Sequence, residues 1–183
     1  MRKYIKILMG LMRLFVEKII NGKKLVLHGY RYCISSGVKL WIHNSGKLDL
    51  GKKTWLSENC LFECNGGKIN IGFNNFFNSN CRIISLEKVI VGDNNLFGPN
   101  VVIVDHNHNY KCPTELICKQ GFSSEKICIG SNNWICANVV ICKGVEIGNG
   151  IVVAANSVVL SDCLIPGVYA GSPARLIKSK DNQ

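Results

Sequence analysis

Two of the four histidines in the chain, His106 and His108, stand two residues apart in the stretch VVIVDHNHNYK, Val101 to Lys111. A free imidazole has a pKa of about 6.5, so either ring can take a proton from a weakly acidic hydroxyl near neutral pH. In an extended strand, residues two apart point to the same side, which would turn both rings toward one site. Asp105 precedes them and is suited to fix an imidazole tautomer, although alternation aims it away from His108. The residues alone leave open which ring is the base. The other two histidines, His28 and His43, lie far upstream, so no three-histidine metal site is expected.

The ten cysteines show no CxxC spacing. Cys81, Cys128, Cys136 and Cys142 fall inside apolar runs, where cysteine behaves as a small hydrophobe. Cys112 is the thiol nearest the histidines, and it reads as a loop residue rather than an acyl carrier.

What holds the histidines is a repeat. Five segments share one signature, LGKKTW, IGFNNF, VGDNNL, IGSNNW and IGNGIV, each opening on an apolar residue and a glycine: Gly51, Gly72, Gly92, Gly130 and Gly148. Steps of six residues from those openings land on further apolar residues. The triplets are Leu50, Leu56, Phe62; Ile71, Phe77, Ile83; Val91, Phe97, Ile103; Ile129, Ile135, Ile141; and Ile147, Val153, Val159. A period of six fits neither a helix nor a long alternating strand. It fits a short strand and a tight corner taken three times per turn, with one apolar residue per side aimed at a common axis. Corners require residues tolerant of positive φ, which accounts for the glycines and asparagines. The reading is an all-β parallel β-helix of at least five coils. Its regularity stops after Ile103 and returns at Ile127, leaving a loop over residues 104–126 that is long enough to be functional.

These segments resemble the hexapeptide repeat of the left-handed β-helix acyltransferases, over about residues 45–178. Within that family the chain is similar to the maltose, galactoside and polysaccharide O-acetyltransferases: NSN at Asn78–Asn80, VGDNNLFGPNV before the histidines, TELICKQG after them, and AGSPARLIK near the end. The resemblance implies a left-handed helix, a homotrimer with active sites between subunits, and direct acetyl transfer from acetyl-CoA to a sugar hydroxyl. It implies His108 as the base, with His106 as the alternative, and Asn78 as a residue holding the acceptor, with Asp105 beside it. It places the cofactor along Trp134, Ala137, Ala154, Ala155 and Ser157, with Arg175 and Lys178 toward its phosphates. No metal is expected. Surface polysaccharide or lipopolysaccharide synthesis is the implied setting. N-acetylation of a nucleotide-linked amino sugar is the competing enzymatic reading, and a non-catalytic β-helix scaffold is the competing class.

At 183 residues, with 47% hydrophobic and 19% charged residues, the chain suits a single folded domain. The formal net charge of +10 suits anionic ligands, but its basic residues are spread thinly between the termini and form no nucleic-acid motif. Residues 1–22 form an amphipathic helix by spacing: Ile5, Leu8, Met9, Met12, Phe15, Val16 and Ile19 share one face. Arg13, Glu17 and Lys18 interrupt the apolar run, which is too short to span a bilayer. That face is expected to pack on the protein, with peripheral membrane contact through residues 1–20 as the alternative. Residues 23–178 then form the β-helix domain, 23–48 being a degenerate first coil, and 179–183 a polar tail. The start of the chain carries no cleavable signal, and the cysteine usage suits a reducing compartment, so a cytoplasmic place, at most on the inner membrane surface, is expected.

Overall fold

A computed structural model describes residues 2–180, with side chains from Leu8 onward. Three parallel sheets wrap one axis, and the chain visits them in rotation, one strand per sheet per coil. The first coil uses Leu25–His28, Cys33–Ile34 and Lys39–His43; the second Lys47–Gly51, Trp55–Leu56 and Leu61–Asn65; the third Lys68–Ile71, Phe76–Phe77 and Arg82–Ser85. The fourth uses Lys88–Val91, Leu96–Phe97 and Val102–Val104, the fifth Ile127–Ile129, Trp134–Ile135 and Val140–Ile141, and the sixth Glu146–Ile147, Val152–Val153 and Val158–Val159. The segment read as a degenerate first coil is therefore a complete one. The interior includes every triplet read from the period of six, all at most 4% exposed, together with Leu25, Leu48, Ile69, Val89 and Ile127 on the first sheet. Each such aliphatic or aromatic side chain contributes about 1.5–3 kcal/mol by leaving water. Phe77 stacks on Phe97 with centroids 4.4 Å apart, and Phe62 meets Phe77 edge-on at 5.0 Å.

The corners correct one expectation. Asn74, Asn94 and Asn132 do adopt positive φ, as do Asn80, Asn100, Asn138 and Asn156. The five motif glycines do not. They are small because successive coils touch there: a Cβ on Gly72 would lie 2.5 Å from the Gly92 carbonyl oxygen, and one on Gly92 would lie 2.8 Å from that of Gly130. The second asparagine of each NN pair has another role again. Asn75, Asn95 and Asn133 are buried and stack as a column. Asn95 Nδ2 donates to Asn75 Oδ1 and to the Gly130 carbonyl, while the backbone N–H of Asn133 donates to Asn95 Oδ1. Buried corner amides are thereby satisfied coil by coil.

Both ends of the stack are covered, as a solenoid requires. A hairpin of Gly167–Gly171 and Ala174–Ser179 closes the last coil, burying Tyr169 and Ala174. At the other end helix α1, Arg2–Asn21, lies on the first coil. It docks through Leu14, which is buried, and through Gly10, where a Cβ would sit 2.6 Å from the Ile34 carbonyl oxygen. This corrects the expected docking face. Leu8, Met12, Phe15 and Ile19 are 61–67% exposed, because the helix approaches through Gly10 and Leu14 and leaves these side chains outward. Ile5 lies outside the residues whose side chains are described. An apolar groove of about 360 Å³ runs between Met9, Met12 and Val16 on the helix and Ile34, Val38 and Leu40 on the coil.

Candidate active site

One corner of the six-coil frame is replaced by an excursion. After Val102–Val104 the chain leaves the stack, forms an antiparallel pair of His106–His108 with Phe122–Ser124, and re-enters at Ile127. His106 lies opposite Ser124, and His108 opposite Phe122. Both rings contact the Phe122 ring, at centroid distances of 5.5 Å for His106 and 4.3 Å for His108, so the two imidazoles share one side of the ribbon. The tip is organised by Gln120, which the sequence reading passed over. Its Nε2 donates to the carbonyls of Cys112 and Glu115, and its Oε1 accepts from the Cys112 N–H. Asn109 Nδ2 donates to the Gln120 carbonyl, closing the base of the tip. A cavity of about 640 Å³ opens here, lined by His108, Tyr110, Glu115, Gln120, Ser123 and Lys143. Lys143 also pairs with Glu125.

Asp105 is the anchor of the excursion. It was expected near substrate, but it is fully buried and its oxygens are engaged. Its carboxylate accepts from Ser85 Oγ at 2.6 Å, from the N–H of Leu86 at 2.8 Å and from the N–H of Glu87 at 2.9 Å. It also lies 3.1 Å from His106 Nδ1. An ionised carboxylate only accepts, so Nδ1 is the donor in this contact, and in the neutral ring the lone pair falls to Nε2. Asp105 therefore fixes the tautomer of His106, while His108 stands exposed over Phe122. Four acceptor contacts to one buried charge explain how a carboxylate sits at zero exposure.

The remaining residues divide between edges. Asn78 is half-buried at the corner that leads into the third sheet, and its Oδ1 accepts from the Ser79 N–H. Ala137 and Ala155 stack at that same corner, since the Asn138 and Asn156 N–H groups bond the Pro99 and Ala137 carbonyls. Gly98 lies directly below: a Cβ there would be 2.6 Å from the Ala137 nitrogen. Ala154 donates its N–H to the Tyr169 carbonyl, which sets it beside Ala170, and Ala170 pairs with Arg175 across the terminal hairpin. Trp134 is 53% exposed on the strand entering this corner. Trp134, Ala137, Ala154, Ala155 and Arg175 thus share one side of coils five and six. Lys178 pairs with Val168 at the far end of the hairpin. Ser157 departs from the expected cofactor set: it points inward, is 1% exposed, and its Oγ accepts from the Gly171 N–H at 3.1 Å. The histidines leave the opposite edge of the third sheet, so a single chain does not bring Asn78 or the alanines to them.

The thiols follow burial. Cys60, Cys64, Cys81 and Cys163 are core residues, whereas Cys128, Cys136 and Cys142 are only half-buried. Burial pushes the Cys64 thiol up to about 12 and that of Cys163 up to about 11. The Cys112 thiol is lowered, first by its hydrogen bond with the Thr114 hydroxyl. Among the described residues no cluster of three or more metal-ligating side chains forms.

The bacterial transferase hexapeptide model, of six repeats, matches residues 129–161. The WbbJ protein of Escherichia coli (strain K12), whose name places it as an O-acetyl transferase of lipopolysaccharide biosynthesis, is 31% identical over 162 residues, 84% of this chain and 83% of that one. The chain belongs to the hexapeptide-repeat acyltransferases. Another family relative, the galactoside O-acetyltransferase of the same organism, is 36% identical over 70% of this chain, which spans only 62% of it. A solved galactoside acetyltransferase in complex with coenzyme A superposes with a TM-score of 0.66 at 32% identity, over 79% of this chain and 65% of that one. The Bacillus cereus N-acyltransferase AntD, at 20% identity and a TM-score of 0.75 over 92% of this chain and 89% of that one, shares the fold.

Proposed function

We propose that this acyltransferase moves the acetyl group of acetyl-CoA onto a sugar hydroxyl, with His108 as general base. The observation that carries the reading is the replaced corner: within a rigid frame, the one long excursion places an exposed imidazole on the wall of a cavity. Family membership supplies the reaction class, and relatives named as a galactoside O-acetyltransferase and an O-acetyl transferase of lipopolysaccharide biosynthesis support a sugar acceptor.

The small-residue corner fits the donor. Gly98, Ala137, Ala154 and Ala155 leave its outer surface flat, Trp134 offers an aromatic wall, and Arg175 offers a guanidinium for phosphate. The thioester supplies an activated acetyl group. His108 accepts the hydroxyl proton as the sugar oxygen bonds to the acetyl carbon, and it returns that proton to the departing sulfur. Backbone N–H groups at the coil surface are suited to hold the oxyanion. Removing a general base costs about 10²- to 10⁴-fold in rate. His108→Ala should therefore lose acetyl transfer on that scale while coenzyme A binding is unchanged. The Asp105–His106 contact favours a second assignment, in which the oriented Nε2 of His106 is the base. A loss confined to His106→Ala would establish that instead and overturn the His108 assignment. Offering matched hydroxyl and amino sugars in a thiol-release assay separates O- from N-acetylation.

Because the histidine corner and the alanine corner lie on opposite edges of one sheet, the complete site joins two copies of the chain, and a homotrimer satisfies this in closed form. Mixing His108→Ala and Ala155→Trp chains should restore part of the activity that each homo-oligomer lacks. Helix α1 supplies the cellular setting. Residues 1–24 carry seven basic side chains and one acidic one. With the apolar face of α1 turned outward, this combination suits an anionic bilayer surface at the cytoplasmic side of the inner membrane, where lipid-linked glycans are made. Met12→Asp/Phe15→Asp should abolish sedimentation with phosphatidylglycerol vesicles and leave turnover of soluble acceptor intact.

A further inference from the structure

Basic residues that lie about twenty positions apart in the sequence are stacked in space. Leu25, Leu48, Ile69, Val89 and Ile127 pair in register on the first sheet, and each is preceded by lysine: Lys24, Lys47, Lys68, Lys88 and Lys126. Lys47↔Lys68 and Lys68↔Lys88 are direct register pairs. Coils are spaced about 4.8 Å apart, so the five ammonium stems leave the surface along a line of about 19 Å. Lys24, Lys68 and Lys126 are exposed, and Lys47 and Lys88 half-exposed. Of the five lysines in the column, Lys47 alone has a carboxylate partner among the described residues, Asp49 at 3.2 Å. Glu125 is taken by Lys143. Like charges placed opposite one another in a ladder repel, and any polar residue would fill an exposed position after a corner.

The column has a direction. Its last member, Lys126, is two residues past Ser124, the partner of His106, and Glu125 N–H bonds the Asp105 carbonyl. The sixth coil has Gly144 at this position, so the row ends where the histidine ribbon re-enters the stack.

We infer that this lysine column is a binding track for an extended acidic glycan, whose repeated carboxylate or phosphate groups it holds while a sugar hydroxyl reaches the histidine ribbon. The inference rests on the acetyltransferase reading and narrows its acceptor to a polyanionic sugar chain. A single line of cations matches a linear polymer better than a plane of lipid headgroups.

The test uses the full-length protein and a triple variant, Lys47→Gln/Lys68→Gln/Lys88→Gln, with the matching Lys→Arg triple as control. The probes are oligogalacturonate for carboxylate, polyglycerol phosphate for phosphate, and maltoheptaose as a neutral glycan. Wild type should bind one of the acidic probes at least about ten-fold more tightly than maltoheptaose, with affinity falling steeply as salt rises. The Gln triple should lose that preference and the Arg triple keep it, while the thermal shift caused by acetyl-CoA is equal in all three. Equal affinity for acidic and neutral glycans, or an unchanged Gln triple, overturns the track. So does a Gln triple that loses acetyl-CoA affinity, or tighter wild-type binding to a short RNA than to either acidic glycan. A wild-type protein that shows no acetyl-CoA shift refutes the acetyltransferase reading separately, since the glycan arms are read by binding alone.

Discussion

The third and fourth coils turn the same corner in two ways. On the third coil, Ser85, Leu86 and Glu87 carry the chain directly to Lys88. On the fourth, Asp105 stands in register above Ser85, and the chain then travels 21 residues before the first sheet resumes at Ile127. The column beneath them changes character coil by coil: Ile42, Cys64, Ser85, Asp105, all buried. An apolar interior position becomes a thiol, a hydroxyl and finally a charge as the excursion is reached. Regular corners are held by their neighbours above and below through repeated backbone and asparagine bonds. The excursion is held at its root by one carboxylate and at its tip by one glutamine. The frame is redundant, and the ribbon that it carries is not.

Substitutions should expose that asymmetry, and the largest effect belongs to the frame. Phe97→Ala removes a ring stacked between coils and should cost about 3–5 kcal/mol in chemical denaturation, with catalysis falling only as the folded fraction falls. A loss below about 1 kcal/mol would mean that the interior is not packed as described. Asn95→Ala leaves the Asn133 N–H and the Gly130 carbonyl without partners, and its expected cost is about 2–3 kcal/mol. At the root, Asp105→Ala strips acceptors from Ser85, Leu86 and Glu87, so stability should drop by about 2 kcal/mol while activity drops further than stability explains. Gln120→Ala should leave the melting transition within about 1 kcal/mol of wild type and still lower turnover, because the tip alone loosens. If Gln120→Ala unfolds the protein, the division between frame and ribbon is wrong.

Thiol chemistry offers the gentlest probe. Cys112 lies on the excursion with its thiol lowered by Thr114, so its alkylation should already be fast at a pH below that needed by an ordinary thiol. Cys64 and Cys163, pushed up to about 12 and about 11 by burial, should stay unlabelled in the folded protein and react only with denaturant. Mass spectrometry of iodoacetamide-treated protein at rising pH reads both. Early labelling of Cys64 would indicate coils that open more readily than the ribbon.

The period of six in the sequence determined the coils, their interior and the place where they break, because a strand-and-corner unit must spend one side chain per side on the axis. It also showed that His106 and His108 share a side, since alternation is a local property of extended chain. It did not show why the glycines recur, because the clash that a Cβ would cause is with the next coil rather than the glycine's own backbone. Only the tertiary structure decided that Asp105 serves His106 from inside the core, that Ser157 turns inward, that helix α1 keeps its apolar side outward, and that five scattered lysines form one line. Each of those depends on what stands about twenty residues away in register, and stacking, unlike periodicity, leaves no trace in the spacing of neighbouring residues.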